Sequence, residues 1–177
     1  SVMRGVFLKD ASLRDELTGL YNRRGFFELM EHQVLLSRRQ KHPIALLYLD
    51  LDGLKAINDR HGHRKGDRAI ADTAAIISRT FRTSDIAARL GGDEFVVAAI
   101  DSEKEGLDII VDRLQKNFDR HNRALRPGAP RLGHSVGSVM IGPDETASLE
   151  SAIEKADRLM YRQKRSRKGP GGRTEAA

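Results

Sequence analysis

Residues Ala88–Val97 read Ala-Arg-Leu-Gly-Gly-Asp-Glu-Phe-Val-Val, and this stretch decides how the rest of the chain is interpreted. Apolar residues flank a Gly-Gly pair, and two carboxylates, Asp93 and Glu94, follow it directly. The pattern is typical of a tight β-hairpin, because glycine adopts positive φ angles in a turn without a Cβ clash. The two acids at its tip are compatible with a solvated turn or with part of a metal site. The rest of the sequence decides between these interpretations.

The composition fits one globular domain with short appendages. The chain has 177 residues, of which 39% are hydrophobic and 32% charged, and this length allows one sizeable core. Because the chain contains no cysteine, disulfides and thiolate metal sites are excluded. No apolar run reaches the ~18 residues that a membrane helix needs, and no secretory signal is recognisable. We therefore expect a cytoplasmic domain without a membrane segment, with tethering through upstream regions left open.

The charge distribution favours anionic partners. The net charge is +6, which suits nucleotides, nucleic acid or a membrane surface. Much of the excess lies within residues 158–168, and a basic helix of this kind is more often a solvated face than a ligand site. Aromatic residues make up 5% of the chain and do not alternate with these charges, which argues against a stacking platform for single strands. We expect no nucleic-acid partner.

The pattern of apolar residues predicts alternating helices and strands. The predicted elements are a helix from Arg23 to about Lys41, a buried strand Ile44–Leu49, a helix of roughly Asp67–Phe81, hairpin strands Asp85–Leu90 and Glu94–Ile100, a helix from Glu103 to about Arg123, a strand from about Leu132 to Ile141, and a last helix containing Leu149–Met160. A further helix is predicted between the first strand and Asp67, so that two helices precede the hairpin. This order predicts an α/β (α+β) fold of split-βαβ kind, with a mostly antiparallel sheet of four to five strands covered by about five helices.

The predicted domain has short appendages at both ends. We expect residues 1–14 to be the end of a linker helix, residues 15–168 to form the domain, and residues 169–177 to be a disordered Gly-rich tail.

Two acids at the end of the first predicted strand indicate a site. Asp50 and Asp52 follow Ile44–Leu49 with Leu51 between them, and they share one strand face. A helix cap explains Asp52 well. It explains Asp50 poorly, because a carboxylate after six apolar strand residues is costly without a partner. If the strand end and the hairpin converge, Asp50 and Asp93 form an all-oxygen site that suits Mg²⁺ or Mn²⁺ and leaves positions for substrate phosphates.

The chain contains, in this order, the segments Asp15–Arg24, Asp50–Asp59, His61–Asp67, Gly91–Phe95, Ser135–Gly137 and Ala156–Lys164. Together these segments resemble the motifs of the GGDEF family, whose active members are diguanylate cyclases. The resemblance covers about residues 15–168 and implies the palm-like fold of nucleotidyl cyclases. It implies condensation of two GTP into cyclic di-GMP and two pyrophosphates, through attack of a 3′-hydroxyl on an α-phosphate. It also implies a homodimer, because each domain holds one GTP, and an upstream sensory domain.

The resemblance assigns roles to matching positions. It implies two Mg²⁺ (or Mn²⁺) ions per active site, held by Asp50, Asp93 and the Leu51 carbonyl, with Glu94 beside them. Asp93 and Glu94 are the implied catalytic residues. Asn58 and Asp67 would read the guanine edge, and Lys55, Lys164 and one of Arg167 or Lys168 would hold the terminal phosphates. The full set implied for substrate binding is Gly53, Leu54, Lys55, Asn58, Asp67, Gly91, Gly92, Lys164, Arg167 and Lys168.

This sequence departs from the family pattern in two places. Gly53 and Leu54 stand where an aromatic residue is common, and Lys164–Lys168 lacks the usual Gly-Arg-Asn. A pair of histidines, His61 and His63, suggests zinc, but no third nitrogen or sulfur ligand lies nearby in the sequence.

An Arg-x-x-Asp pattern precedes the hairpin. Arg82 and Asp85 match the family's inhibitory site, which would bind cyclic di-GMP, and Arg89 is close enough to contribute. A local helix-end salt bridge is the alternative explanation. The alternative function for the whole chain is a catalytically inactive receptor for GTP or cyclic di-GMP.

Overall fold

The computed structural model describes residues 12–100, 102 and 106–168. The elements in chain order are α1 (Arg23–Gln40), β1 (Ile44–Asp52), α2 (Leu54–His61), α3 (His63–Thr80), β2 (Ile86–Gly91), β3 (Glu94–Ile100), α4 (Leu107–Arg123), β4 (Gly133–Ile141) and α5 (Leu149–Lys168). The four strands form one antiparallel sheet in the order β2-β3-β1-β4. The predicted α/β class, element order and antiparallel sheet are therefore confirmed.

The central strand β1 divides the core into two layers. Its residues alternate between the sheet faces, as in any strand. Ala45, Leu47, Leu49 and Leu51 pack with the apolar faces of α3 and α4. Ile44, Leu46 and Tyr48 pack on the other side, with α1 and α5. Continued alternation places Asp50 and Asp52 on the α1/α5 side, at the end of β1.

The register of β1 determines which residues meet at this end. Asp50 lies opposite Glu94 of β3 and opposite Ser135 of β4. The backbone N–H of Leu51 donates to the Asp93 carbonyl oxygen at 2.9 Å. The end of β1 and the hairpin therefore converge, as the sequence predicts.

A glycine on β4 lets α5 lie directly on the sheet. A Cβ atom at Gly137 would lie 1.9 Å from the Ala156 carbonyl oxygen and 2.4 Å from the Met160 nitrogen. Because both neighbours are backbone atoms, a larger side chain here would push α5 away. One turn further along, the Gln163 side chain accepts a hydrogen bond from the Val136 N–H at 2.7 Å. These contacts bring the basic end of α5 to the acids of β1.

Several predicted bounds differ from the observed ones. Helix α3 begins at His63 rather than Asp67, because Gly62, with φ of 85°, ends α2 and α3 starts directly after it. Its first turn is polar, so apolar periodicity does not reveal it. Helix α4 begins at Leu107, and residues 103–105 of the predicted helix lie outside the described residues.

The predicted appendages lie largely outside the described residues. Residues 1–11 of the expected linker helix and the expected tail 169–177 are in this group. Residues 12–13 form a turn, and Arg14 makes an antiparallel bridge with Tyr21. Among the described helices, none is long and apolar enough to span a bilayer.

Candidate active site

The hairpin tip differs in detail from a turn centred on the two glycines. Gly91 ends β2 and pairs with Glu94, so Gly92 and Asp93 form the tip. The cause is a bulge between Arg89 and Gly91, which inserts an extra residue into β2 and shifts the turn by one position. Both glycines still have positive φ angles, 152° and 47°, which is why this turn needs glycine.

Three carboxyl groups meet one ammonium at the end of β1. Asp50 is paired with Glu94 across the sheet, and Asp93 is tied to Leu51 through the backbone. The Lys164 Nζ donates to Asp50 Oδ1 at 2.6 Å, and these two side chains are only 23% and 10% exposed. This half-buried ion pair links α5 to the acidic end of the sheet.

Burial and mutual repulsion distinguish two of these acids from ordinary carboxylates. Burial raises the pKa of Asp50, the hydrogen bond from Lys164 opposes this, and the charge of Asp93 raises the pKa again, so the net shift is upward. Burial likewise raises the pKa of Glu94; a hydrogen bond with Tyr48 lowers it, and the charges of Asp93 and Asp157 raise it. The site therefore holds more negative charge than the Lys164 ammonium compensates.

The donor set fits a hard divalent cation. The Asp50, Asp93 and Glu94 carboxylates and the Leu51 carbonyl offer only oxygen, which Mg²⁺ and Mn²⁺ prefer. Burial first, and then the charge of Asp93, raises the pKa values of Asp50 and Glu94, so a bound cation would stabilise their charged forms. In the part of the chain that the structure describes, no three acid or imidazole groups already enclose a metal site. Remaining ligands would have to come from substrate or water, as is usual for Mg²⁺.

A second ion pair lies beside the first. Asp52 accepts a hydrogen bond from the Ser135 hydroxyl at 2.9 Å, and the Arg167 guanidinium lies 3.8 Å from the Asp52 carboxylate. Arg167 also donates to the His134 carbonyl oxygen. Asp52 thus pairs with Ser135 and Arg167. It is not the predicted cap of α2, because the N-cap residue is Gly53 and no side chain caps the helix. The side chain of Lys168, the other predicted phosphate ligand, lies outside the described residues.

His134 provides a pH-dependent prediction for stability. The ring is buried and stacks on Phe118 with centroids 4.1 Å apart. Burial and the nearby Arg167 charge lower the pKa of His134 from 6.5 to about 4. Between these values the unfolded chain binds the proton more readily, so stability is complete above pH 6.5 and is lost as the pH falls to 4. We expect a loss of about 3 kcal/mol over this range, since one pKa unit corresponds to about 1.4 kcal/mol.

Urea unfolding at pH 6.5 and pH 4, in wild type and His134→Gln, measures this contribution. The variant is expected to lose about 3 kcal/mol less than wild type over the same range. Equal losses in the two proteins would contradict the buried neutral imidazole.

The predicted guanine-reading residues lie at the junction of α2 and α3. A Cβ atom at Gly66 would lie 1.8 Å from Asn58 Oδ1, so the two helices touch at these residues. Asp67 follows Gly66 in the exposed first turns of α3, and Lys55 is exposed at the start of α2. Gly53, with φ of 73°, caps α2 directly after β1. Gly53 is therefore the one residue between the end of β1 and the start of α2.

Gly66→Ala is expected to displace the Asn58 side chain with little loss of fold. The added methyl group meets the far end of a side chain rather than backbone, so the expected destabilisation is about 1 kcal/mol. If Asn58 reads guanine, affinity for GTP falls about tenfold, since a lost hydrogen bond costs about 1.4 kcal/mol. Calorimetric titration with a non-hydrolysable GTP analogue checks this. An unchanged affinity for the GTP analogue would contradict a role of Asn58 in guanine recognition.

The Arg-x-x-Asp segment borders a cavity of about 350 Å³. Arg82, Asp85, Arg14 and Tyr21 are among its lining residues. Both Asp85 oxygens already accept backbone hydrogen bonds, from the Arg82 N–H at 2.8 Å and from the Ile100 N–H at 2.9 Å. Asp85 therefore shapes the end of α3 and the sheet edge, and this local role accompanies any contact with a ligand.

Arg89 connects the hairpin to the entry turn. Its Nε donates to the Gly92 carbonyl oxygen at 3.0 Å, and its NH1 lies 3.2 Å from Asp15 Oδ1. Asp15 also accepts from the Thr18 N–H and hydroxyl. Arg89 is not among the residues that line the cavity beside Arg82. Its contact with product stays a prediction, whereas its structural contact fixes the hairpin tip.

Sequence reasoning missed three side chains that support the site. Tyr48 hydrogen bonds with Glu94, and burial together with the Glu94 charge raises the pKa of Tyr48 above its usual range. Ser135 holds Asp52, and Gln163 holds Val136. Strand alternation places Tyr48 on the same face as Asp50, so this residue was detectable. Ser135 and Gln163 depend on the placement of β4 and α5, which local patterns do not reveal.

Comparisons with known proteins agree with this geometry. A family model described as "Diguanylate cyclase, GGDEF domain" matches residues 12–170. Diguanylate cyclase DgcP of Escherichia coli K12 is 34% identical over 154 residues, which cover 87% of this chain and 45% of that protein. Diguanylate cyclase DgcS of Shewanella oneidensis is 32% identical over 152 residues, covering 86% of this chain and 49% of that protein. The chain thus spans about half the length of these relatives.

Solved structures show the same fold. The coiled coil and GGDEF domain of DgcB from Caulobacter crescentus, in complex with c-di-GMP, gives a TM-score of 0.81 at 26% identity, covering 93% of this chain and 86% of that one. Diguanylate cyclase SiaD from Pseudomonas aeruginosa, in complex with its activator SiaC, gives a TM-score of 0.79 at 30% identity, covering 93% of this chain and 64% of that one. The implied palm-like fold is therefore confirmed.

Proposed function

Because the chain belongs to the GGDEF domain family, we propose that it is a diguanylate cyclase that condenses two GTP into cyclic di-GMP and two pyrophosphates. The observation that carries the proposal is the convergence of Asp50, Asp93 and Glu94 with Lys164 at the end of β1. An acidic cluster with excess negative charge beside a half-buried ammonium suits a metal-bound triphosphate. Carboxylates whose pKa values are raised by burial and by neighbouring acids are typical of functional sites.

The residues of this site would have different roles in the reaction. Asp50, Asp93, Glu94 and the Leu51 carbonyl would hold two Mg²⁺ or Mn²⁺ ions, which supply Lewis-acid stabilisation of charge on the phosphate oxygens. Lys164, Arg167 and Lys55 would bind the β- and γ-phosphates by charge-assisted hydrogen bonds. Lys168 is the alternative to Arg167. Gly91 and Gly92 allow the triphosphate to approach the hairpin backbone, because they carry no side chain.

Base selection and proton transfer complete the proposed mechanism. Asn58 and Asp67 would bond the guanine edge, beside Gly53 and Leu54, and an adenine would leave these polar groups unpaired. The attacking 3′-hydroxyl belongs to the second GTP, held by a second copy of the domain, so a homodimer is required. Asp93, at the hairpin tip, would accept the hydroxyl proton in addition to its proposed role as a metal ligand.

Product would bind at the Arg-x-x-Asp segment and inhibit the enzyme. The supporting observation is the cavity of about 350 Å³ beside Arg82 and Asp85. An arginine fork suits a phosphate or a guanine edge. Domain bounds of 15–168 and control by an upstream sensory region complete the proposal.

Incubation of the homogeneous protein with GTP and Mg²⁺, followed by chromatographic and mass analysis of the products, tests the activity. The expected products are cyclic di-GMP and pyrophosphate in a ratio of one to two. Tight binding of cyclic di-GMP without turnover at high protein concentration would favour the alternative, an inactive receptor for GTP or cyclic di-GMP. The cavity beside Arg82 is the observation that favours this second function.

A further inference from the structure

A second cavity, of about 370 Å³, lies between the start of α3 and the end of α4. Lys65 and Arg68 of α3 line it from one side, and His121 of α4 and Arg126 of the following loop line it from the other. Among the described residues, Asp72 is the one carboxylate in the lining, and Arg68 already neutralises it, with Nε 2.9 Å from Asp72 Oδ1. Three full positive charges thus face one negative charge.

Three other basic side chains of this cavity are unpaired in the part of the chain that the structure describes. Within residues 12–100, 102 and 106–168, no side-chain ion pair or hydrogen bond involves Lys65, His121 or Arg126. Like charges that converge on a concave surface repel one another and concentrate anions from solution. An anion held by two or more of these side chains would remove the repulsion through charge-assisted hydrogen bonds.

The other part of the lining is apolar. Ala69, Ala124, Pro130 and Leu132 contribute to the wall, and Leu132 is buried. The loop that carries this wall is held in place by Asn122, whose amide nitrogen donates to the Leu132 carbonyl oxygen and whose amide oxygen accepts from the Leu132 N–H, both at 2.8 Å. The cavity is therefore preformed and offers an apolar surface beside its positive charges.

Helical geometry separates this cavity from the proposed guanine site. Lys65, Arg68, Ala69 and Asp72 are spaced i, i+3, i+4 and i+7, which places them on one face of α3. Asp67 lies two residues after Lys65, about 200° around the helix, and so faces the opposite side. The cavity near Arg82 is lined by a different set of residues. Among the described lining residues, none is assigned to catalysis, substrate or product.

We propose that the cavity between α3 and α4 binds a phosphate monoester with a flat apolar body, of the size of a nucleoside monophosphate. The phosphate contacts Lys65, Arg126 and Arg68, and the body packs against Ala124 and Pro130. The volume of about 370 Å³ lies near the lower end of small-ligand pockets, which fits a mononucleotide. The site is independent of the proposed cyclase activity.

Calorimetric titration of the full chain with uridine monophosphate, and separately with inorganic phosphate, tests the proposal. Uracil lacks the guanine edge that Asn58 and Asp67 would bind. Binding of uridine monophosphate is therefore expected at the cavity between α3 and α4 and not at the proposed guanine site. We expect the double variant Lys65→Gln/Arg126→Gln to lose at least about tenfold in affinity for uridine monophosphate. The matched control Arg64→Gln/Arg123→Gln removes the same charge from exposed residues of α3 and α4 that do not line the cavity, and is expected to bind like wild type.

Each outcome decides for or against the site. Thermal unfolding of both double variants without ligand checks that they are folded, and their exposed positions predict unchanged melting temperatures. Equal losses of affinity in the two double variants would show general charge attraction and overturn the proposal. So would absence of binding at millimolar nucleotide, or loss of binding in Lys164→Met. Inorganic phosphate that binds as tightly as uridine monophosphate would overturn the assigned ligand class.

Discussion

Asp50→Asn is expected to lower the rate of cyclic di-GMP formation by about a thousandfold, while leaving the melting temperature unchanged or raising it. The rate falls because a neutral amide replaces the carboxylate of the proposed metal site, and metal stabilisation of the transition state is worth about 4 kcal/mol. The fold tolerates the change because the surroundings of Asp50 disfavour its charge. Burial and the Asp93 charge raise the pKa of Asp50 in spite of Lys164.

The sign of the stability effect follows from proton linkage. A carboxyl group whose pKa is higher in the folded state binds protons more readily there, so wild type gains stability as the pH falls through that raised pKa. Above it, the ionised Asp50 destabilises the fold, and the neutral amide of the variant removes this cost. Lys164 keeps favourable neighbours in the variant, because Asp93 and Asp52 also attract its charge.

The matched control is Asp59→Asn on the exposed surface of α2. It removes the same charge and is expected to leave both rate and melting temperature within error of wild type. Cyclic di-GMP formation is followed by chromatography and unfolding by fluorimetry. If Asp50→Asn lowers the melting temperature by several degrees and the rate by less than tenfold, Asp50 is a structural partner of Lys164 and the assigned metal site is wrong.

The end of β1 shows how far the sequence determines the site. Strand alternation predicts the face on which Asp50 lies, and the predicted fold class puts the hairpin next to β1. The acidic cluster was therefore predictable from short segments of the chain. The counter-ion of Asp50 was not predictable in this way. Lys164 follows Asp50 by 114 positions and reaches it only because Gly137 lets α5 lie against β4. The family resemblance implies that Lys164 binds phosphate, but it does not predict the ion pair between Lys164 and Asp50.

Turn geometry and helix starts were predicted less well, for local reasons. The Gly-Gly pair predicts a hairpin, but the bulge beside Arg89 moves the tip to Gly92 and Asp93. A bulge depends on cross-strand register, which no local pattern specifies. The early start of α3 at His63 was missed because its first turn contains only polar residues and Gly66. That glycine is explained by the Asn58 side chain against it, which is a tertiary contact.

Lys164→Met is expected to change two affinities in opposite directions. Without nucleotide, affinity for Mn²⁺ rises about tenfold, because the ammonium 2.6 Å from Asp50 Oδ1 no longer competes for that oxygen, and a gain of about 1.4 kcal/mol corresponds to a factor of ten. Affinity for a non-hydrolysable GTP analogue falls about tenfold or more, because the variant lacks a charge-assisted contact to phosphate. Methionine retains the length and apolar stem of the side chain, so packing on the sheet is largely preserved.

Mn²⁺ binding is measured by the loss of the free-ion electron paramagnetic resonance signal, and nucleotide binding by calorimetry. Lys155→Met, an exposed position on the same helix, is the matched control and is expected to change neither affinity. A misfolded variant would lose affinity for both Mn²⁺ and the nucleotide. A higher affinity for Mn²⁺ together with a lower affinity for the nucleotide would therefore show that Lys164 pairs with Asp50 in the free protein and with phosphate in the complex. An Mn²⁺ affinity equal to or below that of wild type would contradict competition for Asp50. Unchanged nucleotide affinity would instead remove Lys164 from the phosphate site, and leave its pairing with Asp50 as a purely structural contact between α5 and β1.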